Sequence, residues 1–113
     1  MEKFNIVLLA EVKNFLHSLD KKTREKILFN LWKVKRSLDP ELFKKLSDQI
    51  WEFRTKYQKK QIRLLAFWDK RDNKNTLVIC THGFIKKTQK VPRKEIEKAT
   101  RIMNEFLNVK QGP

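Results

Sequence analysis

A chain of 113 residues, 40% hydrophobic and 11% aromatic, is sized for one domain (1–113) with a modest core, and is too apolar to stay disordered although 35% of it is charged. Its 27 basic and 13 acidic residues leave a formal charge of +14, which points to a polyanionic partner such as a nucleic acid or a ribosomal surface. The excess is spread along the chain, with 11 basic and 7 acidic residues in 1–50, 8 and 3 in 51–80, and 8 and 3 in 81–113, so it belongs to a folded surface and not to a detachable tail.

Other classes fall away on composition. The single cysteine, Cys80, sits in an apolar run as a small hydrophobe, so no disulfide framework exists. Two glycines cannot build a P-loop or a Rossmann turn, and no His/Cys metal spacing or Ser-His-Asp arrangement stands out, so no cofactor or metal is expected. No apolar run is long enough for a signal peptide or a membrane span, which makes a cytoplasmic location the expectation.

Residues 4–10 read as a short strand, after which Val12, Phe15, Leu16 and Leu19 recur at helical spacing. Asp20 is placed to cap a second helix whose face is Ile27, Leu28, Leu31, Val34 and Leu38. Asp39-Pro40 ends it, and residues 41–46 suggest one further turn. The period then changes. Trp51 and Phe53 alternate with Glu52 and Arg54, a polar loop is expected over 55–61, and residues 62–68 form a second strand with Arg63 opposite in parity to Ile62 and Leu64. Turn formers over 69–75 lead to a third strand over 76–81. Pro92 opens a final helix with Glu95 in its first turn and Ile96, Ala99, Met103 and Phe106 as its buried stripe, and residues 109–113 should fray. The sum is an α+β domain: a small antiparallel sheet with two N-terminal helices and a C-terminal helix, the helices packed against one side.

The stretch Thr81-His82-Gly83-Phe84-Ile85-Lys86-Lys87-Thr88-Gln89-Lys90 reads as the exit from the sheet into a basic loop. In a meander of three strands, Arg54, Arg63, His82, Lys86 and Lys87 can gather on one face, and a phosphate backbone would reward that grouping of like charges. RNA cleavage needs a base for the 2′-hydroxyl, donors for the phosphate and an acid for the leaving oxygen. Arginine suits the second task, and lysine or histidine the others. The blander alternatives stand beside this. Arg54 can pair with Glu52 or Asp69, His82 can fix a strand end by a side-chain hydrogen bond, Lys86 and Lys87 can be a solvated loop, and Trp51, Trp68 and Phe84 can be core instead of base-stacking platforms. His17 reads as a surface residue of a helix.

Trp51-Glu52-Phe53-Arg54, Ile62-Arg63-Leu64-Leu65-Ala66-Phe67, and His82-Gly83-Phe84-Ile85-Lys86-Lys87-Thr88-Gln89-Lys90-Val91-Pro92 followed by Glu95-Ile96 and Ala99 strongly resemble the phage-derived HigB-like toxins of the RelE/ParE superfamily. The resemblance runs from about residue 44 to 107. It implies a RelE-like fold and a type II toxin: an endoribonuclease that cuts mRNA on the ribosome, inhibits translation, and is neutralised by a cognate helix-turn-helix antitoxin. By it, Arg54 and Arg63 match the strand arginines at the scissile phosphate, and Lys86 and Lys87 match the basic loop after the last strand, with His82 beside them. Lys59, Lys60, Lys90 and Arg93 are the expected RNA-binding cations. The superfamily often carries a catalytic Tyr near its C-terminal helix, whereas the one tyrosine here is Tyr57, expected in a loop, and the general base stays open. The alternative within the superfamily is a ParE-like inhibitor of gyrase or a silent nucleic-acid-binding module. Arg54 and Arg63 are both expected on an exposed face, so replacing both by Ala is expected to remove toxicity without unfolding the protein.

Overall fold

A computed structural model describes residues 4–71 and 77–110. In chain order these form β1 (Asn5–Leu8), α1 (Ala10–His17), α2 (Lys21–Ser37), β2 (Phe43–Lys45), β3 (Trp51–Tyr57), β4 (Lys60–Trp68), β5 (Leu77–Lys86) and α3 (Arg93–Lys110). The sheet runs β1-β5-β4-β3-β2, antiparallel from β5 to β2, with β1 laid parallel along the outer side of β5. Among the described residues no helix is long and apolar enough to cross a membrane.

Helix α2 starts where the sequence says it should. The Asp20 carboxylate accepts from the Thr23 N–H at 3.1 Å and from its hydroxyl at 2.6 Å, closing the first turn. Arg24 reaches back to the carbonyls of Leu16 and Leu19 and ties the two helices at their junction. The helix ends at Leu38, which takes a left-handed conformation (φ 53°) before Asp39-Pro40.

Three expectations change. First, residues 41–46 do not add a helical turn: Phe43–Lys45 is an edge strand, because the Phe43 ring stacks on Phe53 at 4.3 Å and on Trp51 at 4.9 Å. Second, the 55–61 loop is nearly all strand. β3 continues to Tyr57, and Gln58 and Lys59, at φ 49° and 66°, make a two-residue turn without Asn or Gly to signal it.

Third, the helices cover both faces of the sheet. Val12 and Leu16 of α1 and Ile27, Leu31 and Val34 of α2 pack with Phe53, Ile62, Leu64, Ala66, Val78 and Cys80 on one face. On the other, Ala99 and Met103 of α3 pack with Leu65, Phe67, Ile79 and Ile50. The unbroken apolar run Leu64-Leu65-Ala66-Phe67, buried throughout, is what a strand covered on both sides requires. The third strand is longer than expected, reaching Lys86, and part of the 69–75 loop lies outside the described residues. Across that loop the Asp69 N–H donates to the Leu77 carbonyl at 2.9 Å.

Candidate functional site

The α3 face of the sheet is covered only in part, and the uncovered part is cationic. Register places Arg54 directly opposite Arg63, Glu52 opposite Lys44, and Phe84 beside Arg63 on β5. Side chains alternate, so Glu52, Arg54 and Arg63 emerge on the side opposite Phe53, Ile62 and Leu64. They floor a cleft of about 390 Å³ whose walls are Lys44 and Lys45 from β2, Lys86 from the end of β5, Gln89, Lys90 and Val91 from the following segment, and Ile96 of α3.

Arg63 is the anchor. Only 2% exposed, it lies 2.9 Å from the Glu52 carboxylate through Nε, with that N–H not aimed at the oxygen. Its outer nitrogens donate to the Ile62 carbonyl at 3.1 Å and the Gln61 amide oxygen at 3.4 Å. Burial pushes the guanidinium pKa down, Glu52 opposes this, and the Arg54 charge lowers it further. An arginine keeps its proton under such a shift, so the result is a held cation. Arg54 is half-buried, and among the described residues its guanidinium has no ion-pair partner. Lys86 donates from Nζ to the Gln89 carbonyl at 2.8 Å, which folds the 86–90 segment back over the cleft.

Of the expected site residues, the cleft brings together Arg54, Arg63, Lys86 and Lys90. The others lie elsewhere. His82 is 2% exposed on β5 and not in a loop: its Nε2 meets the Glu95 carboxylate at 3.0 Å, its Nδ1 meets the Thr81 hydroxyl at 3.1 Å, and its ring stacks on Phe84. Burial holds its pKa below the usual imidazole value, with the Glu95 hydrogen bond opposing. These contacts tie β5 to α3 through Glu95.

A register shift between Leu65 and Ala66 explains the placement. Ala66 pairs with Cys80 and Leu65 with His82, so Thr81 is the extra residue, and the parity of β5 inverts after it. His82 is thereby turned to the α3 face and Gly83 to the α1 face.

Lys60 lies 3.6 Å from Asp20, on the α2 side of the sheet. Lys59 is exposed in the β3–β4 turn, Lys87 is exposed just past β5, and Arg93 is 91% exposed and paired with Glu97 at 3.3 Å. Glu52, one of two suggested partners for Arg54, pairs with Arg63, and Asp69 pairs with Arg71. The expectation that both arginines are exposed therefore fails for Arg63, which lies 2% exposed at the cleft floor against Glu52 and Gln61. Tyr57 ends β3 and does not line the cleft. Sequence reading missed Lys44 and Lys45; recognising 43–45 as a strand would have set Lys44 across from Glu52.

Six cations, Lys44, Lys45, Arg54, Arg63, Lys86 and Lys90, thus face one carboxylate, Glu52, which Arg63 already engages. Such a cleft suits a phosphodiester: planar guanidinium donors to grip non-bridging oxygens, with lysines around them. Among the described residues no group of three or more His, Cys, Asp or Glu could hold a metal ion.

Comparison with known proteins bears on the fold and the family. A solved structure of E. coli toxin RelE, a double mutant in the free state, superposes with a TM-score of 0.62 over 89% of this chain and 97% of that one, at 13% identity, which establishes a common fold. No curated protein matches the sequence significantly. The family described as "Phage derived protein Gp49-like" matches residues 14–104, which takes in the end of α1, all of α2, the whole cleft and most of α3. The chain therefore belongs to the phage-derived Gp49-like family, a RelE/HigB-like toxin family, and has the RelE fold.

Proposed function

We propose that the protein is a ribosome-dependent mRNA endoribonuclease, the toxin of a type II pair, held in check by a cognate helix-turn-helix antitoxin. The observation that carries this is the cross-strand pair Arg54 and Arg63 at the floor of a cleft with a large cationic excess. Two like charges set directly opposite on a sheet cost stability, and a phosphate between them repays it. Arg63, fixed by Glu52 and the Ile62 carbonyl, braces one non-bridging oxygen, while Arg54 closes on the other as charge builds in the pentavalent state.

Proton transfer falls to the lysines. With the 2′-oxygen attacking phosphorus and the 5′-oxygen leaving, one group must take the 2′ proton and another supply the leaving oxygen. Lys86 and Lys90 stand at the mouth, on the side from which RNA enters, and take these parts. His82 is left out of the chemistry and positions the α3 wall. The exposed Lys59, Lys87 and Arg93 add phosphate contacts around the cleft, and docking on ribosomal RNA sets the place of action in the cytoplasm.

The test is induction of the protein in a bacterial host with mapping of new mRNA 5′ ends, for wild type, Arg54→Ala and Arg54→Ala/Lys86→Ala. These side chains are partly exposed and carry no core packing, so the variants fold. Cuts inside translated frames are expected for the wild type and should fall by about 100-fold or more with Arg54→Ala, the scale of losing one transition-state donor. Growth arrest with intact mRNA would overturn the nuclease reading in favour of a gyrase-type inhibitor.

A further inference from the structure

The outer face of α2 carries apolar surface that the fold does not use. Leu28 is 44% exposed, Phe29 49% and Trp32 49%, on the side of the helix opposite Ile27, Leu31 and Val34. Residues 25, 28, 29, 32 and 36 share that outward stripe at the i, i+3, i+4, i+7 spacing of a helix-on-helix seam. Phe29 and Trp32 stack on one another at 5.8 Å, and the pair is ringed by charge: Lys26 and Lys33 lie 5.6 and 5.7 Å from the Phe29 centroid, and Arg36 lies 5.1 Å from Trp32. Exposed aromatics inside a charged rim have the anatomy of a protein interface.

We propose that this ridge is the docking surface for an acidic amphipathic helix of the antitoxin. The proposal rests on the toxin reading for the partner's identity alone. Three observations select the occupant. The rim is cationic at Lys26, Lys33 and Arg36, with Glu25 as the stripe's acidic member, so a complementary surface is apolar at its centre and acidic at its edges. A second copy of the chain fits badly, because a two-fold contact would press these cations against their own images. A nucleic-acid strand fits badly too, because the ring faces are taken by Lys26, Lys33 and Arg36 and by each other, which leaves little room to stack a base. Since α2 packs on the sheet face opposite the cleft, the partner holds the toxin without filling the site where RNA is cut.

The experiment measures binding, not cleavage, so it stands apart from the fate of the nuclease assignment. The antitoxin encoded beside the toxin gene is titrated against wild type, Phe29→Ala/Trp32→Ala, Lys26→Glu/Lys33→Glu and Arg54→Ala/Lys86→Ala, with hydrogen exchange recorded on the wild-type complex. Circular dichroism checks that each variant is folded. The two α2 variants should weaken binding by about 100-fold, the scale of losing interface anchors, while the cleft variant binds as wild type. Exchange should slow over residues 21–37. Protection confined to residues 86–96 with an unaltered α2, or full affinity in both α2 variants, would overturn the proposal. So would a 12-nucleotide single-stranded RNA, or anionic phosphatidylglycerol vesicles, that bind the wild type and lose that binding with Phe29→Ala/Trp32→Ala.

Discussion

Arg63 and Glu52 are both nearly out of water, at 3% and 8% side-chain exposure, so each needs the other. Removing one charge leaves a buried, uncompensated partner, which costs about 3–5 kcal/mol. Arg63→Ala should therefore lower the urea midpoint strongly and lose activity for two reasons at once. The uncharged, apolar replacement Glu52→Leu/Arg63→Met should recover most of the stability, read by urea unfolding, and none of the cleavage, read by 5′-end mapping; restored cleavage would mean that the Arg63 charge has no role in the chemistry. His82 makes the second prediction. Its folded pKa lies below the ordinary 6.5, so between the two values the unfolded chain binds more protons and stability rises with pH. The contribution is whole above about 6.5 and is lost as pH falls through the depressed folded value. Thermal unfolding from pH 7.5 down to 5 should show that decline for wild type, and His82→Gln should flatten it.

Strand β5 shows how far an element can be read from its residues and where the reading stops. The apolar run 77–80 and the basic 86–90 segment are plain in the sequence, but the extra residue at Thr81 is set by pairing with β4 and leaves no local mark, so the face taken by His82 and Gly83 was not legible. The Thr81 hydroxyl donates to the Leu65 carbonyl at 3.2 Å, which repairs the ladder at the irregularity. Gly83 is then demanded by the inversion, since a Cβ there would sit 2.6 Å from Leu64 Cδ2 and against the Phe15 ring. Gly83→Ala should cost about 1–3 kcal/mol as overpacking, measured by denaturant unfolding, and a neutral result would show that α1 shifts freely. Helix α2, by contrast, was readable from Asp20 to Leu38, because its cap and its 3.6-residue stripe are local properties. Arg54 and Arg63 were legible as a pair from strand parity, whereas the burial of Arg63 at the cleft floor is set by tertiary packing. The three-residue β2 is too short to show a period, and so Lys44 and Lys45 went unseen.

Across the whole molecule, two helices on one face of the sheet and one on the other set a cationic cleft and an aromatic ridge on opposite sides of the sheet. On the proposed function, the formal +14 is expected to make encounter with RNA fast and weakly selective, with the cleft adding a smaller number of close phosphate contacts to that field. These two parts respond differently to salt and to mutation. For single-stranded RNA, log affinity falls with log salt by about 0.7 per phosphate contact, so removing cleft cations should reduce the slope by about that much each. Arg54→Ala/Lys86→Ala/Lys90→Ala is expected to lower the slope by about 2, measured by fluorescence anisotropy of a labelled RNA between low and physiological salt. Lys22→Ala/Lys35→Ala, on α2 across the sheet, is expected to leave it nearly unchanged, because contacts made beyond a Debye length of the cleft do not displace its counterions. Equal loss of slope in both variants would mean that RNA is held by the charge of the whole surface and that the cleft has no privileged grip on phosphate.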